Sequence, residues 1–256
     1  MSDWNAQQYL KFEDQRSRPA RDLAAQVPLK DARRIYDLGC GPGNSTEILR
    51  EMFPDAELTG MDSSPDMLTK ARARMPGTSF VASDLATWSP PTDADLLYSN
   101  ATFQWVPDHL AVLERLLKTL RSGGVLALQV PDNTREPSHM LLNEVAADPR
   151  WAATLAKSDA GRDDLPSVAT YYDRLRPLCQ HFDIWHTHYG HPLDGAEGIV
   201  EWFKGSHLRP YLDALPVDQR APFIAEYTAR LAKAYPKQFD GKCLLRFPRL
   251  FIVAVR

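Results

Sequence analysis

The chain has 256 residues, 44% of them hydrophobic, enough to bury the core of one large α/β domain with a smaller inserted unit. Its 30 Lys and Arg nearly balance 33 Asp and Glu without any block of like charge, which supports neither a nucleic-acid footprint nor a polybasic membrane anchor. A polar start, no apolar run near the roughly 18 residues of a membrane helix, and three widely spaced cysteines (Cys40, Cys179, Cys243) argue for a cytoplasmic protein without disulfides or a zinc site.

In chain order, residues 3–26 are predicted helical, with Leu10, Phe12, Leu23 and Ala24 among charges and Pro19 starting a second helix. A strand at 34–38 stops abruptly at Gly39-Cys40-Gly41-Pro42-Gly43, after which Asn44 or Ser45 caps a helix through Met52. Residues 57–61 read as a strand, 64–74 as a helix opened by Pro65, and 79–82 and 95–99 as strands. A leucine-rich helix at 109–120 ends at Gly123-Gly124 and gives way to an apolar strand at 125–130. This alternation predicts an α/β fold with a mainly parallel sheet covered by helices on both faces. Further on, 137–147 reads as a helix, 183–189 as a strand and 249–255 as the last strand. The aromatic-rich helical stretch of about 193–240 reads as an insertion covering a site, within a single domain of residues 1–256.

The segment Asp37-Leu38-Gly39-Cys40-Gly41-Pro42-Gly43 joins a strand to a helix. Such a turn needs glycine because the backbone bends sharply and a ligand must approach without a Cβ in the way. Two acids follow at the ends of the next strands. Asp62 can accept from both hydroxyls of a ribose or cap the following helix; Asp84 can accept from an adenine amino group or serve its turn. A pyrophosphate-binding turn would carry glycine where Asn44 stands, whereas Asp37 suits an ammonium group. The pattern favours S-adenosylmethionine over a nicotinamide dinucleotide.

Residues 37–43, Met61-Asp62-Ser63-Ser64-Pro65, Ser83-Asp84-Leu85 and Ser99-Asn100-Ala101 resemble the successive cofactor motifs of class I methyltransferases. More selectively, Ser2-Asp3-Trp4-Asn5, residues 100–109, Gln129-Val130-Pro131-Asp132-Asn133, Leu208-Arg209-Pro210 and residues 247–254 resemble the trans-aconitate 2-methyltransferase family. The likeness spans essentially the whole chain, although residues 148–165 match nothing in it. It implies a Rossmann-like class I methyltransferase sheet, mainly parallel with an antiparallel last strand, and S-adenosylmethionine as cofactor. The implied cofactor contacts are Asp37, Gly39, Gly41, Asp62, Ser63, Met67, Asp84, Leu85 and Asn100, with Tyr9 and Gln15 closing from the N-terminal helix. Met67 would cover the adenine ring or else belong to the helix core. The implied reaction forms the monomethyl ester of trans-aconitate, a small polycarboxylic acid, with no nucleic acid or membrane involved.

A carboxylate is already ionised at neutral pH, since carboxyl groups titrate near roughly 4, so displacement on a sulfonium methyl needs alignment and exclusion of water. No catalytic acid or base is expected. A polyanionic acid does require countercharge, which the planar fork of arginine supplies through paired hydrogen bonds. The candidates are Arg16, Arg18, Arg209, Arg246 and Arg249, with Gln104 and Trp105 as candidate walls of the acid pocket. His186 and His188 alternate onto one strand face, toward solvent, and no histidines show metal-ligand spacing, so no metal is expected. Asn100-Ala101-Thr102-Phe103 lacks the Pro-Pro-aromatic signature expected of a nucleic-acid amino-methyltransferase. Three readings stay open beside the ester-forming one: a methyltransferase for another small molecule, an NAD-dependent oxidoreductase, and a non-catalytic cofactor-binding sensor.

Overall fold

The computed structural model describes residues 13–91, 93–156 and 164–256. Helix α1 (Glu13–Ala24) leads into strand β1 (Arg34–Leu38), helix α2 (Asn44–Met52), strand β2 (Glu57–Asp62) and helix α3 (Pro65–Arg74). Strands β3 (Ser79–Ala82) and β4 (Leu96–Asn100), helix α4 (His109–Thr119) and strand β5 (Val125–Pro131) follow. Next come helices α5 (Pro137–Ala146), α6 (Ala152–Leu155) and α7 (Val168–Leu175), then the long strand β6 (His181–Leu193). Helices α8 (Gly195–Lys204), α9 (Arg209–Ala214) and α10 (Val217–Ala234) separate it from an equally long β7 (Cys243–Val255).

Among the described residues, seven strands form one sheet in the order β3-β2-β1-β4-β5-β7-β6. Strands β1 to β5 pair in parallel, and β7 runs antiparallel to both its neighbours. The expected mainly parallel sheet with an antiparallel last strand is therefore the one the chain forms. Every residue of β5 is buried, because helices cover both faces of a central strand; this is why it reads as an apolar run. Edge strand β3 buries only Phe80. Helix α4 sets Leu110, Leu113, Leu116 and Leu117 at three- and four-residue spacing on one buried stripe. Burying each of these leucines fully contributes roughly 1.5–3 kcal/mol. They share a core with Leu126, Leu128 and Ile252 on one sheet face. On the other face Tyr98, Ala127 and Phe251 share a core with Ala20 and Leu23 of α1 and Trp202 and Phe203 of α8.

The structure departs from the sequence reading in particular places. Pro19 lies inside α1 instead of starting a second helix; its ring is buried, at the cost of the hydrogen bond to the carbonyl of residue 15. Gly43, with φ 93°, is the N-cap of α2, so Asn44 and Ser45 are already helical. Strand β7 begins at Cys243, well before Arg249, because Pro248 does not interrupt it. The Pro248 carbonyl faces the side of β5, where it accepts from the Asp132 N–H at 3.0 Å, so its missing N–H takes nothing from the β6 ladder. Helices α6 and α7 occupy a stretch to which the sequence reading gave no element. No helix among the described residues is long and apolar enough to cross a membrane.

Candidate active site

At the carboxyl ends of β1 to β4, the edge where ligands bind in open α/β sheets, lies a cavity of about 530 Å³. Its walls include Gly39, Gly41, Asp62, Ser63, Met67, Asp84, Leu85 and Asn100, all named from the sequence as cofactor contacts. Gln15 is exposed on α1 and does not belong to those walls, and Tyr9 lies outside the described residues.

The glycine turn is folded back over the end of β2: the N–H groups of Gly39 and Cys40 both donate to the Met61 carbonyl, at 2.7 and 2.8 Å. Gly39 has φ 75°, and a Cβ there would stand 2.1 Å from Oγ1 of Thr102. The same Thr102 hydroxyl donates to the Gly39 carbonyl at 3.1 Å. Gly41 has φ 55°, yet a Cβ there would meet nothing within 4 Å. Close packing thus dictates glycine at 39, whereas at 41 its positive φ does, with open space among the described residues where a Cβ would stand.

Asp62 does two jobs at once. Its Oδ2 accepts from the Gly41 N–H and its Oδ1 from the Ser64 N–H, each at 2.9 Å, so the carboxylate shapes the turn as well as lining the cavity. Capping of α3 falls to Ser64, whose Oγ accepts from the Met67 N–H. Asp84 accepts from the Ala86 N–H at 2.9 Å, a turn role, and also reaches the cavity. Met67 is buried in α3 and is also a wall of the cavity. Oδ1 of Asn100 is buried with no hydrogen-bond partner among the described residues.

Asp37 is fully buried behind the turn, outside the cavity walls. Its Oδ2 accepts from the hydroxyls of Ser45 and Thr46, both at 2.7 Å, and so braces the first turn of α2. Oδ1 has no partner. Burial pushes its pKa up to about 6, and the two hydroxyls only partly offset that rise. A carboxyl that holds its proton better folded than unfolded contributes stability present in full below the unfolded value near 4 and lost as pH rises through about 6. This loss amounts to roughly 3 kcal/mol at pH 7. Asp37→Asn is expected to remove it, and urea unfolding of both proteins at pH 4.5 and 7.5 checks this; equal pH slopes would refute the assignment.

Of the four candidate arginines whose side chains the structure describes, only Arg249 is buried. Arg249 is only 4% exposed, its Nη1 donates to Oε1 of Gln129 at 3.0 Å, and its guanidinium lies 4.8 Å over the Phe247 ring. Tyr189 brings Arg249 and Arg18 together: their guanidinium carbons stand 6.0 and 5.2 Å from its ring centre. The Tyr189 hydroxyl donates to Asp22 at 2.6 Å, tying α1 to β6, and Arg18 pairs with the same Asp22. Ser17, beside Arg18, lines the cavity. Arg246 alternates to the opposite face of β7 and is exposed beside Glu136, with its Nε donating to Nδ1 of His188. Arg209 pairs with Asp213 at the start of α9, and the side chain of Arg16 lies outside what the structure describes.

Trp105 joins the cavity walls, but Gln104 does not; its Nε2 donates to the Ala101 carbonyl at 2.6 Å and pins the turn after β4. Ala101 holds φ 58° there, an unusual conformation for a residue with a side chain. His186 and His188 do point to one outer face of β6, though His186 is engaged by Asp132 at 2.8 Å. Sequence reasoning missed Ser17, Thr102 and Gln129. Only Gln129 left a trace, as a polar residue inside the otherwise apolar β5.

A methyltransferase-domain family model matches residues 35–124. The chain is 56% identical over 256 residues to trans-aconitate 2-methyltransferase of Rhodopseudomonas palustris strain BisB18, with 100% of both chains covered. The corresponding enzyme of strain BisB5 is likewise 56% identical with 100% of both covered. Among solved structures, an S-adenosylmethionine-dependent methyltransferase from Mesorhizobium loti is similar with a TM-score of 0.52 and 20% identity, over 95% of this chain and 100% of that one. That last likeness is one of fold.

Proposed function

The chain belongs to the trans-aconitate 2-methyltransferase family, and on that premise we propose that it esterifies a carboxylate of trans-aconitate with the methyl group of S-adenosylmethionine. The observation that carries this reading is a link: the buried guanidinium of Arg249, itself outside the cavity walls, bonds Gln129, whose register partner Asn100 is a wall of the cavity that holds the two acids and the glycine turn.

The residues fit the cofactor. Open space over Gly41, the orphaned Oδ1 of Asn100 and the acids at the ends of β2 and β3 suit an amino acid joined to a nucleoside. When bound, S-adenosylmethionine supplies a methyl group on a positively charged sulfur. Asp62 takes the ribose hydroxyls, Asp84 the adenine amino group, and Met67 and Leu85 the apolar faces of the ring. Asp37 braces the N-terminus of α2, and its negative field favours the cofactor ammonium.

On the acid side, Arg249 and Arg18 hold substrate carboxylates through charge-assisted hydrogen bonds. So held, one carboxylate oxygen of the acid would face the methyl carbon that the bound cofactor would give up, with the electron pair of the broken carbon–sulfur bond remaining on sulfur. No proton moves, because the carboxyl is ionised at neutral pH, and the chain accordingly needs no general base. The inserted helices of about 193–240 close this side of the site within the single domain 1–256, since Trp202 and Phe203 pack on Phe247, the ring beneath Arg249.

Incubation with methyl-labelled S-adenosylmethionine and trans-aconitate is expected to yield a base-labile methyl ester; labelled cofactor with no labelled acid would overturn the proposal. Gly41→Ala is expected to lose about 1–2 kcal/mol of stability to its left-handed backbone, and more than that in affinity for S-adenosylhomocysteine. Unfolding and calorimetry together check this, and an affinity matching the parent would mean that no ligand occupies the open space.

A further inference from the structure

Gln129 stands out in β5 as a fully buried carboxamide in a strand of Val, Leu and Ala. Its Oε1 accepts from Arg249 at 3.0 Å. A guanidinium has only donors to offer, so the amide must turn its oxygen toward Arg249 and its NH2 group away from it. That Nε2 is buried and has no hydrogen-bond partner among the described residues. Gln129 is not itself a cavity wall, but it is tied to two residues that are. The backbone carbonyl of Gln129 accepts from the N–H of Ala101, a cavity wall, and its register partner on β4 is Asn100, another wall with an orphaned atom. Directly paired residues of neighbouring strands point to the same face, so Asn100 and Gln129 present their side chains together.

A buried donor left unmade is costly, and a ligand that supplies the acceptor would account for it here. Residue chemistry narrows that acceptor. A glutamate at 129 would also accept from Arg249, but it would neutralise the guanidinium and repel an anion. An amide fixes the guanidinium, leaves its positive charge in place and adds a donor of its own.

We propose that Gln129 is a specificity residue for the acid: its carbonyl orients the Arg249 guanidinium while its NH2 group donates to a substrate carboxylate. The assignment rests on the proposed methylation of a carboxylic acid at this site.

Gln129→Glu and Gln129→Met, both close in volume to the parent, test it against trans-aconitate in steady-state methyl transfer, with S-adenosylhomocysteine affinity measured by calorimetry. Both variants are expected to raise KM for the acid roughly 10- to 100-fold, Glu more than Met. Changes in kcat and in S-adenosylhomocysteine affinity are expected to stay within about threefold, because the amide contacts the acid in ground and transition states alike. An unchanged KM in Gln129→Glu overturns the assignment. So does loss of S-adenosylhomocysteine binding in both variants, which would make Gln129 a packing residue. Failure of the parent protein to methylate trans-aconitate is a different result, and sinks the functional reading itself.

Discussion

Asp62→Ala is expected to lower affinity for S-adenosylhomocysteine about 100-fold or more, the largest effect foreseen for any cofactor-side substitution. The carboxylate is asked to accept from ribose hydroxyls, and charge-assisted hydrogen bonds contribute roughly 1.5–3 kcal/mol each. It also holds the N–H groups of Gly41 and Ser64, so its removal loosens the turn that faces the ligand. Asp62→Asn separates the two contributions. An amide oxygen can keep one of the backbone contacts but cannot accept from two hydroxyls, so its loss should be intermediate, about 10-fold. Calorimetric titration of the three proteins measures this, and an Ala variant within threefold of the parent would remove Asp62 from the cofactor site.

Arg249→Met is expected to raise KM for trans-aconitate roughly 100-fold while leaving S-adenosylhomocysteine affinity within about twofold. Methionine retains the apolar stem that lies on Phe247 and deletes only the fork. Arg249→Lys should recover little, since a single ammonium cannot reproduce the paired geometry of a guanidinium on a carboxylate. Arg246→Met serves as the contrast: that side chain is 62% exposed, so its effect on KM should be small. Steady-state kinetics with both substrates varied distinguishes these cases, and equal losses at positions 246 and 249 would refute the ranking.

The cofactor half of the site was legible because local chemistry dictates it. A turn that must bend sharply under a ligand leaves glycines at 39 and 41, and strands that end at a binding edge leave Asp62 and Asp84 just past their apolar runs. The mainly parallel sheet follows from the alternation of strands and helices, and the antiparallel β7 from family resemblance, whereas the order of the strands was not read from the sequence. What escaped depends on contacts between residues distant in sequence. Nothing in the sequence around Ser17 says that α1 packs against β4, an arrangement fixed by the Tyr98 hydroxyl donating to the Ala20 carbonyl. Gly43 displaced Asn44 and Ser45 as the cap because Ser45 is drawn to Asp37, the acid that seemed reserved for the ligand.

The arginines could not be ranked from sequence for the same reason. Arg246 and Arg249 share a neighbourhood in the chain, yet an odd spacing on an extended strand sends them to opposite faces. One meets Glu136 near solvent, and the other is buried against Gln129. Strand β7 extends well before the 249–255 read from sequence, and the Pro248 carbonyl within it finds Asp132 beyond the end of β5.

The central claim, that the cavity and the buried guanidinium together esterify a particular polyacid, is tested most directly by comparing kcat/KM for trans-aconitate, cis-aconitate, citrate and a monocarboxylic acid. A clear preference for trans-aconitate, with a base-labile ester as product and a monocarboxylic acid left almost untouched, is the expected result. Equal rates on all four acids, or none on any despite tight S-adenosylhomocysteine binding, would contradict it.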